Sequence, residues 1–368
     1  MCTDITNNFL IYGDFVKAES FGNGHINDTF LVTFNQAGLF VRYIIRRINK
    51  YVFKRPRIVI RNTINVIEHI SKKLIEANET DISRKKITLI KSKTGDFYYK
   101  DKTGDYWCAV LFFENAYTID YVETTRQAYM AAKEFGRFQK YLIDDDVKRY
   151  KPSITDFHNP LKRIKVLEDT IKKNSHGRVK YAKREIDQAL SNKQLADKLN
   201  QLQCSEQFPL RITHNDTKIN NVMFEKKTGS GLCVIDLDTV MPGTVIFDFG
   251  DMVRTFTSPV AEDEKDTSKV VMQINFFEAI VKGYLEELGS LLTRLELNNL
   301  VYGAKLIIYE QTIRFLTDYL TSDLYYNIDY SNHNLIRTRN QLVLLESVQS
   351  KEKQMDEIVN NYCKKINN

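Results

Sequence analysis

Cysteine is scarce in this chain and never occurs as a closely spaced pair. The 368 residues include five cysteines, Cys2, Cys108, Cys204, Cys233 and Cys363, and no C-x-x-C motif. A disulfide framework or a structural zinc site normally requires cysteines at regular, paired spacings. The odd number and the wide scatter therefore argue against both kinds of site and predict a reducing compartment.

Long uncharged hydrophobic runs are also missing. No stretch of about 18 residues is free of charge, so the sequence predicts no membrane-spanning helix. The N-terminal stretch MCTDITNNFLIYGDF has neither a basic start nor a long apolar centre, and we therefore expect no signal peptide. These two absences favour a cytoplasmic protein without a membrane partner.

A concentrated basic stripe is the third missing feature. The net charge is +6, from 53 basic and 47 acidic residues, and such a mixture attracts anions only mildly. The two most basic stretches, RRINKYVFKRPR and DTIKKNSHGRVKYAKRE, are interleaved with apolar or acidic residues, and we interpret the second as a solvated helix face. We therefore expect no nucleic-acid partner.

The pattern along the chain changes from strands to helices near Tyr117. Over residues 15–114, alternating apolar runs and one segment with helical spacing predict the order β-β-β-α-β-β-β. Helical spacing then dominates, apart from a strand, a glycine-bearing turn and a second strand in ITHNDTKINNVMFEKKTGSGLCVIDLD. Residues after Asp251 are predicted to be helical to the end. The length of the chain is sufficient for two such lobes.

The stretch HNDTKINN carries the first chemical motif. His214, Asp216 and Asn221 match H-x-D-x-x-x-x-N, the catalytic-loop pattern of kinases. Asp216 is suited to accept a proton from an attacking hydroxyl group, and Asn221 can offer an oxygen to a metal ion. The ammonium group of Lys218 could neutralise a phosphoryl group. The alternative interpretation is a polar turn in which Asp216 caps nearby N–H groups.

Two carboxylates follow on what we predict to be a returning strand. The stretch KKTGSG predicts a hairpin that brings GLCVIDLD back beside the catalytic loop. Asp236 and Asp238 are two residues apart and would face the same side of a strand. Such a pair of like charges needs a compensating cation, for which Mg²⁺ is well suited. Asp248 begins the letters D-F-G but lies further along, so we expect it to hold backbone groups behind the catalytic loop.

A glycine-rich bend, FGNGHINDT, joins the first two predicted strands. Gly22, Asn23 and Gly24 could place backbone N–H groups over phosphates, although a plain hairpin turn is the alternative. No G-K-[ST] follows, and no helix follows directly, which disfavours a P-loop and a dinucleotide-binding fold. The order of glycine bend, basic strand, helix, sheet, catalytic loop and carboxylate strand predicts a protein-kinase-like, two-lobed α+β fold. An antiparallel-sheet lobe of residues 1–115 would precede a mainly helical lobe of residues 116–368.

The longer motifs resemble one family in particular. HNDTKINNVMFE and VIDLDTVMPGTVIFDFGD, together with FGNGHINDTFLV, FGRFQ, RFLTDYL and HNLIRTRNQL, resemble the aminoglycoside-phosphotransferase and choline kinase family. Within that family they resemble the N-acetylhexosamine 1-kinases. The resemblance implies ATP- and Mg²⁺-dependent phosphorylation of the anomeric hydroxyl of GlcNAc or GalNAc, which gives the sugar 1-phosphate.

The resemblance also implies roles for individual residues. Asp216 would be the base, Asn221 and Asp236 would bind magnesium, and Asp238 would support the metal or its waters. The adenine-binding hinge would be FFEN, with the backbone of Phe113, Glu114 and Asn115. The candidates for sugar recognition in the helical lobe are Arg314, Asp318, Tyr319 and Tyr325. Three of these have simpler interpretations, because Arg314 and Asp318 could form a helix ion pair and Tyr319 could belong to the core.

Three positions depart from the pattern of related kinases. The lysine expected on the third strand is replaced by arginine, and strand alternation places Arg46 and Arg47 on opposite faces. We favour Arg47 as the residue that contacts phosphate. Its partner on the following helix would be Glu68 or Asn62. In the third departure, Asn215 stands where many relatives carry glycine, and asparagine tolerates the unusual backbone conformation that we expect there.

Other functions fit the sequence less well. A related kinase for an aminoglycoside, choline or an amino acid is the main alternative, but a cationic substrate needs an acidic cleft. The helical lobe offers Asp144–Asp146, yet it also carries Arg314 and many other basic residues. A pseudokinase would usually lack one of the base or metal positions, all of which are present. A protein kinase is disfavoured because the chain has no A-P-E segment and no long activation loop.

Overall fold

The structure is a computed structural model that describes residues 2–22 and 27–367. The fold is α+β and protein-kinase-like, with an antiparallel sheet and a mainly helical part. The chain divides into two compact units. The sheet unit comprises Met1–Tyr117, Asp144–Thr155 and Met223–Met241, and the helical unit comprises Thr118–Ile143, Asp156–Val222 and Pro242–Asn368.

The sheet unit contains a six-stranded antiparallel sheet and one long helix. The strands are β1 (Asp14–Ser20), β2 (Asp28–Gln36), β3 (Leu39–Arg47), β4 (Leu89–Ile90), β5 (Tyr99–Lys100) and β6 (Tyr106–Leu111), and the helices are α1 (Cys2–Thr6) and α2 (Pro56–Glu76). The strand order is β1-β2-β3-β6-β4, and β5 pairs with β6. The predicted order β-β-β-α-β-β-β is confirmed.

The two faces of this sheet bury different side chains. Ile45 and Trp107 belong to a core on one face, whereas Cys108 packs with Val59 and Ile60 of α2 on the other. Because side chains alternate along a strand, consecutive residues of β3 and β6 enter opposite cores. This alternation determines where the two arginines at the end of β3 point.

Five shorter strands form two smaller sheets. They are β7 (Ala116–Tyr117), β8 (Arg211–Thr213), β9 (Val222–Glu225), β10 (Gly231–Val234) and β11 (Met241–Gly243). β9 lies between β10 and β7 in a three-stranded sheet, and β8 pairs with β11. The predicted hairpin through KKTGSG is therefore confirmed as β9 and β10.

The helical unit is built from ten helices among the described residues. They are α3 (Thr125–Leu142), α4 (Pro160–Lys173), α5 (Lys183–Ser191), α6 (Gln194–Gln203), α7 (Val245–Phe256), α8 (Ile274–Leu288), α9 (Arg294–Leu297), α10 (Leu300–Leu320), α11 (His333–Ser350) and α12 (Glu352–Asn367). α10 is buried along most of its length and packs against α4, α7 and α11. A Cβ atom at Gly303 would lie only 2.5 Å from the carbonyl oxygen of Ile246, so glycine permits the close contact of α10 with α7.

None of the helices in residues 2–22 and 27–367 combines the length and the apolar character that crossing a membrane requires. The first segment of the sheet unit ends at Tyr117, two residues after the boundary predicted at residue 115. Asp144–Thr155 and Met223–Met241 also belong to that unit, which the strand and helix pattern did not indicate. They do so because their residues hydrogen-bond with α2 and with β7.

Candidate active site

The catalytic loop connects β8 to β9. It leaves β8 at Thr213 and ends in a short 3-10 turn, Ile219–Asn221. Asn215 has a φ of 66°, so the backbone is left-handed at the position where we expected an unusual conformation. Its side-chain amide donates to the carbonyl oxygen of Thr213 at 3.0 Å, which supports the bend. The sequence-based expectation for Asn215 is confirmed.

Asp216, Lys218 and Asn221 lie together in this loop. The side-chain amide nitrogen of Asn221 donates to the backbone oxygen of Asp216 at 2.9 Å and to its carboxylate at 3.2 Å. The two bonds commit the nitrogen end of the amide, so its oxygen is the atom suited to a cation. The ammonium of Lys218 is 3.5 Å from the carboxylate of Asp216, whose charge raises the pKa of Lys218. The loop thus presents a carboxylate, an ammonium and an amide in one place.

Asp248 holds the backbone of the catalytic loop. Its two carboxylate oxygens accept the N–H groups of His214 at 2.9 Å and Asn215 at 2.7 Å. Gln139 of α3 donates to the same carboxylate, and burial raises the pKa of Asp248. Asp248 sits in the first turn of α7, where the unpaired N–H groups of the helix also favour a carboxylate. The expectation that Asp248 binds backbone groups is confirmed.

Asp251 extends this support by one helical turn. It accepts the N–H of Thr217 at 2.9 Å and the side chain of Arg254 at 2.8 Å, and Arg254 also donates to Glu262 at 2.9 Å. Burial works against the charge of Arg254, but these carboxylates hold its pKa above the ordinary value. Sequence reasoning missed Asp251. The three-residue spacing in DFGD was the available signal, because it places both aspartates on one face of a helix.

Gly243 allows the start of α7 to reach the loop. A Cβ atom at this position would lie 2.2 Å from the hydroxyl oxygen of Thr213 and 3.1 Å from the amide oxygen of Asn215. Any larger residue would have to push the catalytic loop away from β11. The M-P-G segment therefore sets how closely α7 approaches the loop.

In the sheet unit, Arg46 binds both candidate metal carboxylates. Its guanidinium donates to Asp236 at 2.7 Å and to Asp238 at 2.5 Å. Burial works against the charge of Arg46, but Asp238 and Asp236 hold its pKa above the ordinary value. Burial also raises the pKa of Asp238, and Arg46 opposes that effect. A cation does compensate the two like charges, as their spacing predicted, and in this structure that cation is Arg46.

The carboxylates do not lie on a strand. β10 ends at Val234, and Asp236 has a left-handed φ of 56° at the start of a 3-10 turn, Leu237–Thr239. The expected strand alternation was therefore wrong, because the chain turns before it reaches Asp236. The turn still gives both carboxylates to one guanidinium. Asn27 donates to the second oxygen of Asp238 at 2.7 Å, which fixes that buried side chain.

Arg47 points to the opposite face of the sheet. Arg46 pairs in register with Cys108, on the α2 side, whereas Arg47 pairs with Trp107. The guanidinium of Arg47 contacts Asp28, and it lies 3.3 Å from Asp105. The predicted opposite facing of the two arginines is confirmed, and the contacts favour Arg46 over Arg47 as the residue beside the carboxylates.

Asn62 and Glu68, the two α2 residues considered as partners of the β3 arginine, make other contacts. Asn62 donates to the backbone oxygens of Lys151 at 2.7 Å and Val240 at 2.8 Å. Glu68 is 4.0 Å from Arg149. Asn62 thus fixes the segment that follows Asp238, and the charge partners of Arg46 come from the carboxylate turn instead.

Within residues 2–22 and 27–367, no group of three or more His, Cys, Asp or Glu side chains is placed to hold a metal ion. The sheet unit supplies the two carboxylates of Asp236 and Asp238, and in the helical unit the catalytic loop carries the amide oxygen of Asn221. Oxygen donors of this kind suit Mg²⁺, which usually takes one or two carboxylates and completes its shell with waters and phosphate oxygens.

The predicted nucleotide contacts are only partly described. β1 and β2 form the expected antiparallel pair, and Gly22 has a φ of 81° with open space beside it. Asn23 and Gly24 lie outside the described residues. In the hinge, the carbonyl oxygen of Glu114 accepts from Arg84 at 2.7 Å, and that of Asn115 accepts from Lys226 at 3.0 Å.

Phe113 is the buried residue of the hinge. Its side chain is 8% exposed, while Arg42 pairs with Glu114 and lies over the ring of Phe112 at 4.3 Å. The predicted binding of adenine depends on the backbone atoms of Phe113 and on the N–H groups that follow it.

Arg314 lies among aromatic rings in the helical unit. Its guanidinium carbon is 5.2 Å from the ring centre of Phe157, 5.8 Å from that of Tyr325 and 5.6 Å from that of Tyr326. It donates to the side-chain oxygen of Gln311 at 3.1 Å. No carboxylate in the described part of the chain is within 4.0 Å of it. We call these residues the Arg314 cluster.

Asp318 does not pair with Arg314, so the helix ion pair considered above was wrong. Its carboxylate accepts the N–H groups of Tyr325 at 2.8 Å and Tyr326 at 2.9 Å, as well as the side chain of Asn334 at 3.0 Å. Asp318 therefore shapes the loop after α10 and brings both tyrosines to Arg314. The sequence indicated this role of Asp318 only weakly, as a polar residue near the end of a predicted helix.

Tyr319 lies apart from this cluster. It is 2% exposed, and the guanidinium of Arg178 stacks 4.9 Å above its ring. Arg178 also donates to the carbonyl oxygen of Tyr319 at 2.7 Å. Burial thus fits the core interpretation of Tyr319, whereas Tyr325 is 56% exposed and open to a ligand.

The geometry above agrees with a comparison of the sequence with protein families. Residues 96–295 match the model of the family described as "APH: Phosphotransferase enzyme family". The chain belongs to this family. The match contains the hinge, the catalytic loop, the carboxylate turn and α7, and it ends before Arg314, Tyr325 and Tyr326. The protein is thus a phosphotransferase of the APH family.

Solved structures share this phosphotransferase fold at low identity. An aminoglycoside phosphotransferase from Alicyclobacillus acidocaldarius is 10% identical, with a TM-score of 0.63, and the match covers 98% of this chain and 96% of that one. Spectinomycin phosphotransferase APH(9)-Ia, solved with ADP and spectinomycin, is 12% identical, with a TM-score of 0.56 and coverage of 92% and 94%. Choline kinase from Cryptosporidium parvum is 15% identical, with a TM-score of 0.53 and coverage of 98% of both chains.

Proposed function

We propose that this phosphotransferase uses ATP and Mg²⁺ to phosphorylate the anomeric hydroxyl of an N-acetylhexosamine, GlcNAc or GalNAc. The reaction forms the sugar 1-phosphate and ADP. The long motifs that resemble the N-acetylhexosamine 1-kinases support the acceptor, and membership of the APH family supports phosphoryl transfer. The arrangement of Asp216, Lys218 and Asn221 in one loop is the observation that carries the proposal.

Asp216 is the proposed base. Its carboxylate takes the proton of the anomeric hydroxyl while the oxygen attacks the γ-phosphorus of ATP. Lys218 stays protonated beside Asp216 and offsets the negative charge that develops on the transferred group. Asp248 and Asp251 keep the loop in this conformation because they bind its N–H groups.

Asn221 and Asp236 are the proposed magnesium ligands, and Asp238 supports the ion or its waters. When bound, the ion neutralises charge on the phosphate oxygens. Gly22, Asn23 and Gly24 are proposed to cover the phosphates, and Phe113, Glu114 and Asn115 to bind adenine. The ADP complex of spectinomycin phosphotransferase, which has the same fold, supports nucleotide use.

Arg46 is proposed as the cation that contacts the nucleotide phosphates, in place of Arg47. It already neutralises Asp236 and Asp238 on the α2 side of the sheet. Arg47 is engaged with Asp28 and Asp105 on the other face. A guanidinium that is shared by two carboxylates can turn part of its donor set to phosphate without losing its place.

Arg314 and Tyr325 are the proposed sugar contacts, and Asp318 positions them. The charge of Arg314 favours an acceptor that offers hydroxyl or carbonyl oxygens, because a cationic acceptor would be repelled. Tyr325 supplies an exposed ring against which a sugar face can pack. Tyr319, which is almost fully buried, remains a prediction.

An acceptor panel tests the proposal. ADP release is measured with ATP, Mg²⁺ and one acceptor at a time: GlcNAc, GalNAc, glucose, galactose, choline, ethanolamine, homoserine and an aminoglycoside. We expect release above background with an N-acetylhexosamine and none with the cationic acceptors. Activity with cationic acceptors alone would instead identify a different small-molecule kinase of this family.

A further inference from the structure

The helical unit contains a cavity of about 580 Å³. Ligand pockets typically have volumes of about 300–1,000 Å³. The lining shares no residue with the catalytic loop or with the Arg314 cluster. It includes three cations and three tyrosines, namely Arg178, Lys265, Arg339, Tyr181, Tyr319 and Tyr330. We call it the tyrosine–cation cavity.

The charge of this lining is positive. It contains no aspartate or glutamate. Arg178 donates to Asp323 at 2.5 Å and Arg339 donates to Glu185 at 2.6 Å, and each bond occupies only part of the guanidinium. The ammonium of Lys265 forms no ion pair within 4.0 Å in the described part of the chain. An anion in the cavity would therefore meet Lys265 and the remaining donors of both arginines.

Aromatic rings accompany the cations. Arg178 lies 4.9 Å from the ring centre of Tyr319, and Lys265 lies 4.3 Å from that of Tyr330. The ring of Tyr181 is 62% exposed. The hydroxyl oxygen of Tyr330 is buried without a hydrogen-bond partner among residues 2–22 and 27–367, so a polar group nearby would satisfy it. The cavity thus combines ring surfaces with donors for an anion.

The wall around Arg178 is held in place before any ligand binds. Asn334 donates to the second carboxylate oxygen of Asp323 at 2.9 Å and to Asp318 at 3.0 Å. Asp323 is thereby fixed between Asn334 and Arg178, and its side chain is only 2% exposed. A preformed wall lowers the conformational entropy that the protein would lose when a ligand binds.

We propose that the tyrosine–cation cavity binds a small molecule that carries a phosphate group on a ring, such as a sugar phosphate or a nucleotide. Lys265 and the outer nitrogens of Arg178 and Arg339 bind the phosphate. The rings of Tyr181 and Tyr330 pack against the ring of the ligand. Apart from Tyr319, whose role as a sugar contact remains a prediction, no residue of the proposed transfer reaction lines this site.

Calorimetric titration with p-nitrophenyl phosphate tests the site in the whole chain, with excess ADP and Mg²⁺ to fill the proposed nucleotide site. We expect saturable binding that Lys265→Ala weakens about tenfold, since a charged hydrogen bond contributes on that order. Lys172→Ala, which removes an exposed lysine of α4 outside the cavity, is the matched control and should change Kd less than about twofold. Tyr181→Ala should weaken p-nitrophenyl phosphate more than inorganic phosphate.

Three results would overturn the proposal: no saturable binding, equal affinity of the Lys265→Ala variant and the parent chain, or equal losses in Lys265→Ala and Lys172→Ala. Lys265 and Tyr181 are both exposed, so neither substitution is expected to affect folding. Circular dichroism of each variant checks that expectation. Because binding is measured without an acceptor, the outcome does not depend on which substrate the enzyme phosphorylates.

Discussion

Arg46 holds the two acidic residues of the carboxylate turn together. Asp238 is buried and Asp236 is half-exposed, and the guanidinium between them offsets their repulsion. Such an arrangement would let the turn keep its shape in the absence of a metal ion, because the positive charge is supplied by the protein. A bound phosphate that accepts from part of the guanidinium would leave carboxylate oxygens of the turn available to a divalent cation.

Substitutions at the two arginines should have unequal effects. Arg46→Ala is expected to lower kcat/KM for ATP by about tenfold to a hundredfold, since it removes charged hydrogen bonds from the proposed phosphate site. Arg47→Ala should change kcat/KM for ATP less than about threefold, because Arg47 pairs with Asp28 and Asp105 on the other face, away from the carboxylate turn. Steady-state kinetics measure both, and Arg46→Lys, which keeps the charge, is the control for folding. A larger loss in Arg47→Ala would restore the original preference for that residue.

The sequence could predict that arginines and aspartates matter at this site, but not which arginine side chain faces the aspartates. Alternation correctly placed Arg46 and Arg47 on opposite faces. The choice between the faces depended on the register of β3 with β6 and on the packing of α2, which are tertiary features. The left-handed backbone at Asp236 could not be foreseen either, because the apolar run VIDL favoured a continued strand.

At the scale of elements, α7 is the support of the catalytic loop. Asp248 and Asp251 project from consecutive turns and bind N–H groups of His214, Asn215 and Thr217. Those N–H groups are buried with the loop, so they would otherwise lack a partner. One helix thereby determines the backbone conformation that carries Asp216.

Substitution of Asp248 and substitution of Asp236 should therefore have different effects on stability and turnover. Asp248→Ala is expected to lower the free energy of unfolding by about 2–5 kcal/mol, because it leaves two buried N–H groups without an acceptor. Asp236→Ala should change stability by less than about 1 kcal/mol, since that side chain is 44% exposed. Turnover with Mg²⁺ should nevertheless vanish in Asp236→Ala.

Urea unfolding and an assay of ADP release separate the two effects. Comparable stability losses in the two variants would contradict the supporting role of Asp248. Normal magnesium-dependent turnover in Asp236→Ala would contradict the proposed ligand.

The loop after α10 is the second element that depends on one carboxylate. Asp318→Ala should raise KM for the sugar about tenfold or more, because Tyr325 and Tyr326 lose the acceptor that holds their N–H groups. KM for ATP should stay within about twofold. Asp329→Ala is the matched control, since this aspartate lies in the same loop with a side chain that is 85% exposed. Equal changes in KM for the sugar and for ATP would show a general loss of structure instead.

Sequence periodicity could predict α10, but not that Asp318 binds the loop that follows it. Its helical spacing is clear, and Arg314 and Asp318 are separated by one turn, which suggested an ion pair. The structure directs Asp318 to the following loop, where three donors compete successfully with Arg314. Long-range contacts of this kind have no signature in local spacing.

At the scale of the molecule, the sequence predicted the α+β, kinase-like fold and the order of its parts. The catalytic loop and its hairpin are local motifs with strong turn signals, which explains that success. The membership of Asp144–Thr155 and Met223–Met241 in the sheet unit was not predicted, because it depends on bonds such as those from Asn62 to Lys151 and Val240. The change from strands to helices along the sequence indicates a single boundary. The contacts within each unit instead assign interleaved segments of the chain to the two units.

The central claim is the transfer of phosphate to the anomeric oxygen of an N-acetylhexosamine. Phosphorus–proton correlated NMR of the product formed from ATP, Mg²⁺ and GlcNAc or GalNAc tests it most directly. We predict a new phosphate signal coupled to the anomeric proton of the sugar. We also predict that Asp216→Asn lowers the rate at which this product forms by orders of magnitude and leaves nucleotide binding largely intact. A product phosphorylated at another hydroxyl, or near-normal turnover in Asp216→Asn, would contradict the account.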